Sequence, residues 1–256
     1  MTLAKILVTG AAGRIGSAFV RTHHADFTLR LTDLDVSRLA HWPCETLQLD
    51  VTSLAACMRA CEGIDTVIHL AADVSPDTDD FMTGLLPTNI IGTYNIFHAA
   101  KAQGCRRVVF ASSAQTIEGY PQDVQVHETM PVRPKNLYGV TKVFGEALAS
   151  YFADTSTLTT IAVRIGNVAQ FHRGEQHSAR DVAAYTSVRD VVHLLARSVQ
   201  AEATGFMIVN GVSDNRYKRL SIDHSRLMLG YHPQDDAFAI LAGDRTDPGD
   251  DMHYRD

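Results

Sequence analysis

A turn containing three glycines, close to the beginning of the chain, constrains the fold more than any other feature. Gly10, Gly13 and Gly16 follow the apolar run at 6–9 and precede a helical pattern at 14–22. Glycines at this spacing permit a tight turn, close approach of a pyrophosphate, and close packing of the helix against the strand. The free amide groups at the beginning of that helix would hold the phosphates. The turn therefore predicts a dinucleotide-binding unit at the start of the chain.

Strand-like and helical segments alternate along the first two thirds of the chain. Runs rich in valine, isoleucine and leucine predict strands at 6–9, 27–32, 46–49, 66–70, 107–111, 159–164 and 206–210. Helical patterns predict helices at 14–22, 53–61, 89–102, 138–152 and 188–199. Buried strands separated by helices form a parallel sheet that is covered on both faces. We therefore predict an α/β fold with a Rossmann-type, doubly wound parallel sheet of about seven strands.

The pattern divides the chain into three regions. Residues 1–165 form the predicted dinucleotide-binding core. Residues 166–242 form a small C-terminal substrate-binding region, interleaved with the last core strand and helices. Residues 243–256 contain proline, glycine and many aspartates, a composition that predicts a polar, mobile tail.

Composition limits the partners and the compartment. The 256 residues include 23 lysines and arginines against 29 aspartates and glutamates, a formal net charge of −6. This balance provides no broad basic surface for nucleic acid or an anionic membrane. The sequence shows no secretory signal and no apolar stretch approaching the ~20 residues of a membrane span. We expect a soluble, cytoplasmic protein that binds neither nucleic acid nor membrane.

Four cysteines, Cys44, Cys57, Cys61 and Cys105, are scattered along the chain. A metal site would need further ligands at regular spacing, and no such pair of cysteines or histidines accompanies them. The pattern indicates ordinary reduced thiols, in keeping with a reducing compartment, and no metal site.

An acidic residue ends the second predicted strand. Asp33 lies about 20 residues after Gly10, where a carboxylate can accept hydrogen bonds from the adenosine ribose hydroxyls. The same carboxylate would repel a 2′-phosphate, which favours NAD over NADP. Arg14 and Arg38 are cations that could bind a 2′-phosphate, so NADP remains the less favoured alternative.

Ligands of such sheets bind beyond the carboxyl ends of the strands, so residues that follow the strands are candidates for cofactor contacts. Asp50 and Val51 follow the third strand and suit a contact with the adenine edge, although Asp50 could instead cap the next helix. Leu70, Ala71 and Ala72 end the fourth strand, where small side chains let the backbone lie against the cofactor.

A tyrosine and a lysine four residues apart form the candidate catalytic pair. On a helix, Tyr138 and Lys142 share one face. Proton abstraction requires a tyrosine pKa well below its usual value near 10, and a neighbouring ammonium lowers it. Ser113, at the end of the fifth strand with Ser112, could hydrogen-bond the substrate oxygen that exchanges the proton. Two serines in a turn are the alternative interpretation.

Together these motifs resemble the extended short-chain dehydrogenases/reductases, the group that contains sugar-nucleotide epimerases and dehydratases. The likeness covers roughly residues 4–200. The matching residues are Gly10, Gly13, Gly16, Asp33, Leu70, Ala71, Ala72, Asn89, Gly92, Thr93, Asn95, Ser112, Ser113, Tyr138, Lys142, Arg164, Asn167 and Val168.

The resemblance implies a role for each of these residues. Tyr138 would be the general base, Ser113 its partner on the substrate side and Lys142 its activator, while hydride passes between a substrate carbon and C4 of the nicotinamide. It also implies a homodimer formed by the helices at 89–102 and 138–152. The implied cofactor contacts are Gly10, Ala12, Gly13, Arg14, Ile15, Gly16, Asp33, Asp50, Val51, Leu70, Ala71, Ala72, Asn89, Tyr138, Lys142 and Ile165.

Within this group the chain is similar to bacterial uronate dehydrogenases, which oxidise C1 of a hexuronic acid with NAD. The likeness rests on short stretches around 110–117, 133–140, 144–146, 164–166 and 229–233. The chain departs from that family at substrate-facing positions. Ala114 and Gln115 stand where the family has Asn-His, and Asn167 stands where it has serine.

The family also holds the substrate carboxylate with an arginine in the loop before the helix at 188. The corresponding loop, residues 170–184, contains two candidates, Arg173 and Arg180. The substrate contacts implied by the resemblance are Ser75, Ser112, Ser113, Gln115, Asn167, Arg173 and Arg180.

The sequence thus predicts an NAD-dependent oxidoreductase. It would transfer hydride between the nicotinamide and a hydroxyl or hemiacetal carbon of a small sugar or sugar acid. An epimerase that retains NAD and acts on a sugar nucleotide is the alternative enzyme. A non-catalytic dinucleotide sensor is the third hypothesis, although a sensor has no use for Tyr138 and Lys142.

Overall fold

A parallel sheet of seven strands organises the described part of the chain, which in this computed structural model comprises residues 4–75 and 81–249. The strands are β1 (Lys5–Thr9), β2 (Thr28–Asp33), β3 (Glu45–Gln48), β4 (Thr66–His69), β5 (Arg107–Ser113), β6 (Thr159–Ile165) and β7 (Phe206–Gly211). Their order across the sheet is β3-β2-β1-β4-β5-β6-β7, and every neighbouring pair is parallel. This confirms the predicted α/β, doubly wound fold.

Helices connect the strands on both faces of the sheet. Residues Leu86–Gly92 form π-helical turns that run directly into α3, and among the described residues no helix is long and apolar enough to cross a bilayer. The helices are α1 (Arg14–His23), α2 (Leu54–Cys61), α3 (Thr93–Ala102), α4 (Leu137–Thr155), α5 (Ala179–Ala183), α6 (Val188–Gln200), α7 (Asp223–Leu229) and α8 (Ala237–Ala242).

The apolar strands are continuous because both faces of the sheet are buried. In β1, Ile6 and Val8 join a cluster with Phe19 of α1, whereas Leu7 points to the opposite cluster with Phe97 of α3. Alternate residues of a strand point to opposite faces, so a strand between two helical layers has no solvent-facing side. This packing fixes the sheet and leaves its carboxyl edge free for ligands.

The chain direction across the sheet reverses between β1 and β4. From β1 the chain proceeds to β2 and β3 on one side, and β4 then pairs with β1 on the other side. At such a reversal the connections leave towards opposite faces, which opens a crevice beyond the carboxyl ends of the two strands. The fold therefore places its ligand site next to the glycine turn that follows β1.

The predicted segments all correspond to observed elements, with ends shifted by a few residues, and the differences lie in the short elements. The helix predicted at 89–102 begins earlier, as the π-helical turns at Leu86–Gly92. Helices α5, α7 and α8 were not predicted. They span five to seven residues, too few for a helical period to emerge from the sequence.

The C-terminal segments form a small core of their own beside the sheet. Phe171, Val182 and Ile240 are buried in it. The Asp247 carboxylate is 1% exposed and accepts hydrogen bonds from the Tyr185 hydroxyl (2.7 Å) and the Phe171 amide (2.9 Å). Residues 243–249, the described part of the predicted tail, pack beside this core through the buried Asp247 carboxylate. Residues 250–256 lie outside the described part.

Candidate active site

A cleft of about 960 Å³ opens along the carboxyl edge of the sheet, at the crevice that the topology predicts. It is lined by most of the residues predicted to contact a dinucleotide. These are Gly10, Ala12, Gly13, Arg14, Ile15, Gly16, Asp33, Asp50, Val51, Leu70, Ala71, Ala72, Tyr138, Lys142 and Ile165. Predicted contacts from six separate segments thus meet in one cavity.

The glycine turn brings the end of β1, the beginning of α1 and the end of β4 together. Gly10 has φ +68°, and a Cβ there would lie 2.8 Å from the Ala71 amide nitrogen. A Cβ on Gly16 would lie 2.3 Å from the Gly10 carbonyl oxygen. Gly13, which has no side chain, is the residue that caps α1, so the first amides of α1 are available to a phosphate. The turn fits the pyrophosphate of a dinucleotide.

At the end of β2, backbone amides fix the Asp33 carboxylate. One oxygen accepts a hydrogen bond from the Ala12 amide (2.9 Å) and the other from the Leu34 amide (2.8 Å). Each carboxylate oxygen has a second lone pair for a ligand hydroxyl. Arg38 lines the same end of the cleft. Asp50 accepts hydrogen bonds from the amide and hydroxyl of Thr52, so it shapes a turn at the beginning of α2 as well as lining the cleft.

A buried histidine supports the floor of the cleft and was not singled out from the sequence. The Nδ1 atom of His69, at the end of β4, lies 2.8 Å from the Thr9 hydroxyl, which in turn accepts a hydrogen bond from the Ala71 amide (3.2 Å). Burial, and then the charge of Lys142, lower the pKa of His69 to about 3. His69 is therefore neutral, and it ties β1 to the loop after β4.

The candidate catalytic residues meet where β5 ends against the first turns of α4. The Asn136 side chain caps α4 by accepting a hydrogen bond from the Gly139 amide (2.7 Å). One helical turn separates Tyr138 from Lys142, and the Lys142 Nζ lies 5.5 Å from the centre of the tyrosine ring. Lys142 Nζ also donates a hydrogen bond to the Ala111 carbonyl (2.8 Å). Tyr138, Lys142 and Ser113 all line the cleft.

Burial controls the ionisation of this group. It raises the pKa of Tyr138 to about 12, and a hydrogen bond with Ser113 offsets part of the increase. It lowers the pKa of Lys142 to about 7. Burial therefore favours the neutral form of both groups in the free protein. A ligand that brings positive charge to the cleft would favour the tyrosine phenolate.

Ser112 lines the cleft as well, and its hydroxyl has a partner inside the protein. Its hydroxyl donates a 2.6 Å hydrogen bond to Glu146 of α4 and is buried between the sheet and that helix. The same carboxylate accepts two 2.8 Å hydrogen bonds from Arg164 of β6. The buried group joins β5, β6 and α4 one turn beyond Lys142. It can hold the catalytic helix against the sheet.

Two other predicted contacts, Asn89 and Ser75, lie outside the cleft lining. The Asn89 side chain accepts a hydrogen bond from the Asp73 amide and donates to the Asp73 carbonyl, both at 2.8 Å, and it donates to the Thr141 hydroxyl (3.1 Å). It therefore braces the loop after β4 against α4. The Ser75 amide donates a hydrogen bond to the Asp73 carboxylate (2.9 Å).

Three further predicted substrate contacts have other partners. The Gln115 side chain accepts a hydrogen bond from Asn136 (3.0 Å). Arg180 donates to both oxygens of Glu118, at 3.1 and 2.7 Å, and Arg173 packs over Gly243. None of the three lines the cleft, whereas Asn167 does.

The cleft also has lining residues that the sequence did not reveal as contacts. Thr9, Val74, Thr88 and Gly166 are among them. Thr9 and Gly166 are direct neighbours of predicted contacts, a signal that could have identified them. Val74 and Thr88 are likewise neighbours of the predicted contacts Ser75 and Asn89, although those two residues do not themselves line the cleft.

Sheet topology, glycine turn and the serine, tyrosine and lysine at the carboxyl edge define a Rossmann-type enzyme of the extended short-chain dehydrogenase/reductase class. The sequence model of the NAD-dependent epimerase/dehydratase family matches residues 6–204. The chain belongs to that family.

Relatives with different substrates show comparable similarity. The NAD-dependent glucose-6-phosphate dehydrogenase of Haloferax volcanii is 35% identical, and the match covers 91% of this chain and 94% of the relative. An L-arabinose 1-dehydrogenase (NAD(P)+) of the same organism is 34% identical, with 93% and 100% covered.

Among solved structures, a mutant uronate dehydrogenase from Agrobacterium tumefaciens complexed with NAD superimposes with a TM-score of 0.82. It is 34% identical, and the match covers 92% of this chain and 86% of that one. The similarity extends across the sheet and the cleft.

Proposed function

We propose that this protein is an NAD-dependent dehydrogenase that oxidises a hydroxyl or hemiacetal carbon of a small sugar or sugar acid. The observation that carries the proposal is the meeting of Ser113, Tyr138 and Lys142 in the same cleft as the glycine turn and Asp33. The substrates named for relatives that are 34–35% identical, a sugar phosphate, a pentose and a uronate, support the substrate class.

In the proposed reaction, each residue of the site has a separate role. Ser113 hydrogen-bonds the reacting hydroxyl, and the Tyr138 phenolate takes its proton as the C–H bond breaks. When bound, oxidised nicotinamide supplies the hydride acceptor and a positively charged ring. Lys142, held by the Ala111 carbonyl, stabilises the phenolate and can hold the adjacent ribose. The first amides of α1 hold the pyrophosphate.

NAD reduction tests this proposal. Purified protein is incubated with NAD and a panel of aldoses, uronic acids and polyols, and the absorbance of NADH is followed. We expect turnover with at least one sugar. Tightly retained NAD with no net reduction would indicate the epimerase instead, and the absence of both would reject an oxidoreductase.

We further propose a preference for NAD over NADP, because the Asp33 carboxylate lies at the end of β2 where the adenosine ribose would bind. Placing a 2′-phosphate beside it juxtaposes like charges, which costs several kcal/mol.

Asp33→Asn should reduce that preference. The amide keeps an acceptor for a backbone amide but loses the charge, so the ratio of kcat/KM for NAD to that for NADP should fall by about tenfold or more. Initial rates with both cofactors measure the ratio. The matched control is Asp123→Asn, at an exposed aspartate that does not line the cleft. An equal effect of the two changes would contradict the role of Asp33.

The pH dependence of oxidation should show whether the charge of Lys142 lowers the pKa of Tyr138. A phenolate at Tyr138 would hold the proton on Lys142 against the effect of burial, and the resulting ammonium would in turn stabilise that phenolate. Replacing Lys142 with methionine should therefore raise the tyrosine pKa. The rising limb of the pH–rate profile should therefore move to higher pH in Lys142→Met. Profiles of kcat/KM from pH 6 to about 10 cover the region below the ordinary tyrosine pKa. An unshifted limb would contradict the activating role.

We also propose a cytoplasmic homodimer. The outer faces of α3, α4 and the π-helical turns expose Ile91, Tyr94, Val140 and Tyr151, each between 43% and 56% accessible. Apolar patches of this kind mark interfaces. Light scattering on Tyr94→Asp/Tyr151→Asp should show a smaller species than the unchanged protein, and the same mass for both would reject this interface.

The cysteines support the proposed cytoplasmic location. All four are free thiols, in keeping with a reducing compartment.

A further inference from the structure

We propose that the cleft selects an uncharged sugar in preference to a uronate or a sugar phosphate, an inference that rests on the proposed dehydrogenase function. The relatives leave this choice open, since their named substrates include both charged and uncharged sugars. We infer the preference between charged and uncharged sugars from the charges that line this chain's cleft and from the partners of its arginines.

The cations that line the described cleft lie at the cofactor end or within the catalytic group. Arg38 follows β2 near Asp33, and Arg14 is the first residue of α1, directly after the glycine turn. The Arg14 guanidinium donates a 2.6 Å hydrogen bond to the Val168 carbonyl. Lys142 is buried, and its ammonium is bonded to the Ala111 carbonyl. Binding a dinucleotide pyrophosphate would occupy the positive end of α1 as well.

The remaining lining beside Ser113 and Tyr138 is neutral. Thr88 and Asn167 supply polar groups, while Val74 is apolar. Hydroxyl and amide groups both donate and accept hydrogen bonds, which matches the hydroxyls of an uncharged sugar. A carboxylate or phosphate placed among them would lose its hydration without gaining a cationic partner.

Arg180, one of the two arginines predicted to bind a substrate carboxylate, already has two carboxylate partners. Both oxygens of Glu118 accept its hydrogen bonds, at 2.7 and 3.1 Å, and Asp181 accepts a third at 2.9 Å. Both side chains of the Glu118 pair are mostly buried, at 16% and 17% exposure. Burial lowers the pKa of Arg180, but the two carboxylates outweigh it and raise the pKa overall.

A substrate carboxylate would therefore have to displace Glu118 and leave that acid buried without a partner. Bidentate arginine–carboxylate pairs are among the stronger polar contacts, and uncoupling a buried one is unfavourable. Arg180 is satisfied inside the protein. Its sequence position suggested an anion receptor, whereas its partners make it a structural clamp between α5 and the turn that follows β5.

The first experiment compares small sugars that differ in charge, with D-galactose and D-galacturonate as the pair closest in size. L-Arabinose, D-galactose, D-galacturonate, D-glucuronate and D-glucose 6-phosphate are tested with NAD, and kcat/KM is measured for each. We expect an uncharged sugar to exceed every anionic sugar by about tenfold or more. A higher kcat/KM for any anionic sugar overturns this inference while supporting the dehydrogenase. Reduction of NAD by none of them overturns both.

The second experiment tests Arg180 directly in the double variant Arg180→Gln/Glu118→Gln. It removes both charges and retains hydrogen-bonding groups, so neither partner is left as a lone buried ion. The inhibition constant of D-galacturonate against the uncharged sugar should change by less than about threefold relative to the unchanged protein. A rise of about tenfold or more would identify Arg180 as an anion receptor and overturn the inference.

Discussion

Replacing Tyr138 with phenylalanine should reduce kcat/KM for sugar oxidation by about 10²- to 10⁴-fold, the usual contribution of a positioned general base. The change removes one oxygen atom and leaves the ring, which packs beside Lys142. The fold and the glycine turn stay intact, so NAD binding should persist. Steady-state kinetics and NAD titration by protein fluorescence measure the two effects separately.

The matched control is Tyr217→Phe, since Tyr217 is 68% exposed and lies in the C-terminal region. Its activity should equal that of the unchanged protein. Should Tyr138→Phe retain more than about a tenth of the activity, Tyr138 would not be the base. Loss of NAD binding in Tyr138→Phe would instead point to a structural effect of the hydroxyl.

Replacing Glu146 with alanine should lower the free energy of unfolding by about 3–5 kcal/mol, the cost of leaving one member of a buried ion pair without its partner. Arg164 is 1% exposed, so its cation would remain buried, and the Ser112 hydroxyl would lose its acceptor. Urea unfolding followed by circular dichroism measures the change.

Two comparisons distinguish this effect from a general loss of side-chain contacts. Glu202→Ala, at an exposed glutamate, should change stability by no more than about 0.5 kcal/mol. Replacing both charged partners, as Glu146→Leu/Arg164→Met, should recover much of the loss, because no unpaired charge remains. Equal losses in Glu146→Ala and the double variant would show that the ion pair is not the cause.

The cofactor half of the site was predictable from sequence because its residues are placed by the backbone. Gly10 and Gly16 are required by a turn with no room for a Cβ, and Asp33 follows directly from the end of β2. Strand ends in a parallel sheet meet at one edge, so local spacing is sufficient to predict the contacts.

The partners of the predicted substrate contacts could not be predicted from the sequence, because they lie far away along the chain. Ser112 lines the cleft beside Ser113, yet its hydroxyl donates a hydrogen bond to Glu146 of α4, 34 residues away. Asn89 braces the Asp73 loop. Neither partner is marked by any local pattern.

By itself the sequence determined the doubly wound sheet, the dinucleotide turn and the pairing of Tyr138 with Lys142, since each depends on spacings within one strand, turn or helix. Only the tertiary structure decided which polar groups remain available to a substrate. Arg180 illustrates the reason, because its partner Glu118 is 62 residues away. From the sequence alone, an arginine paired inside the protein looks the same as an arginine that binds a ligand.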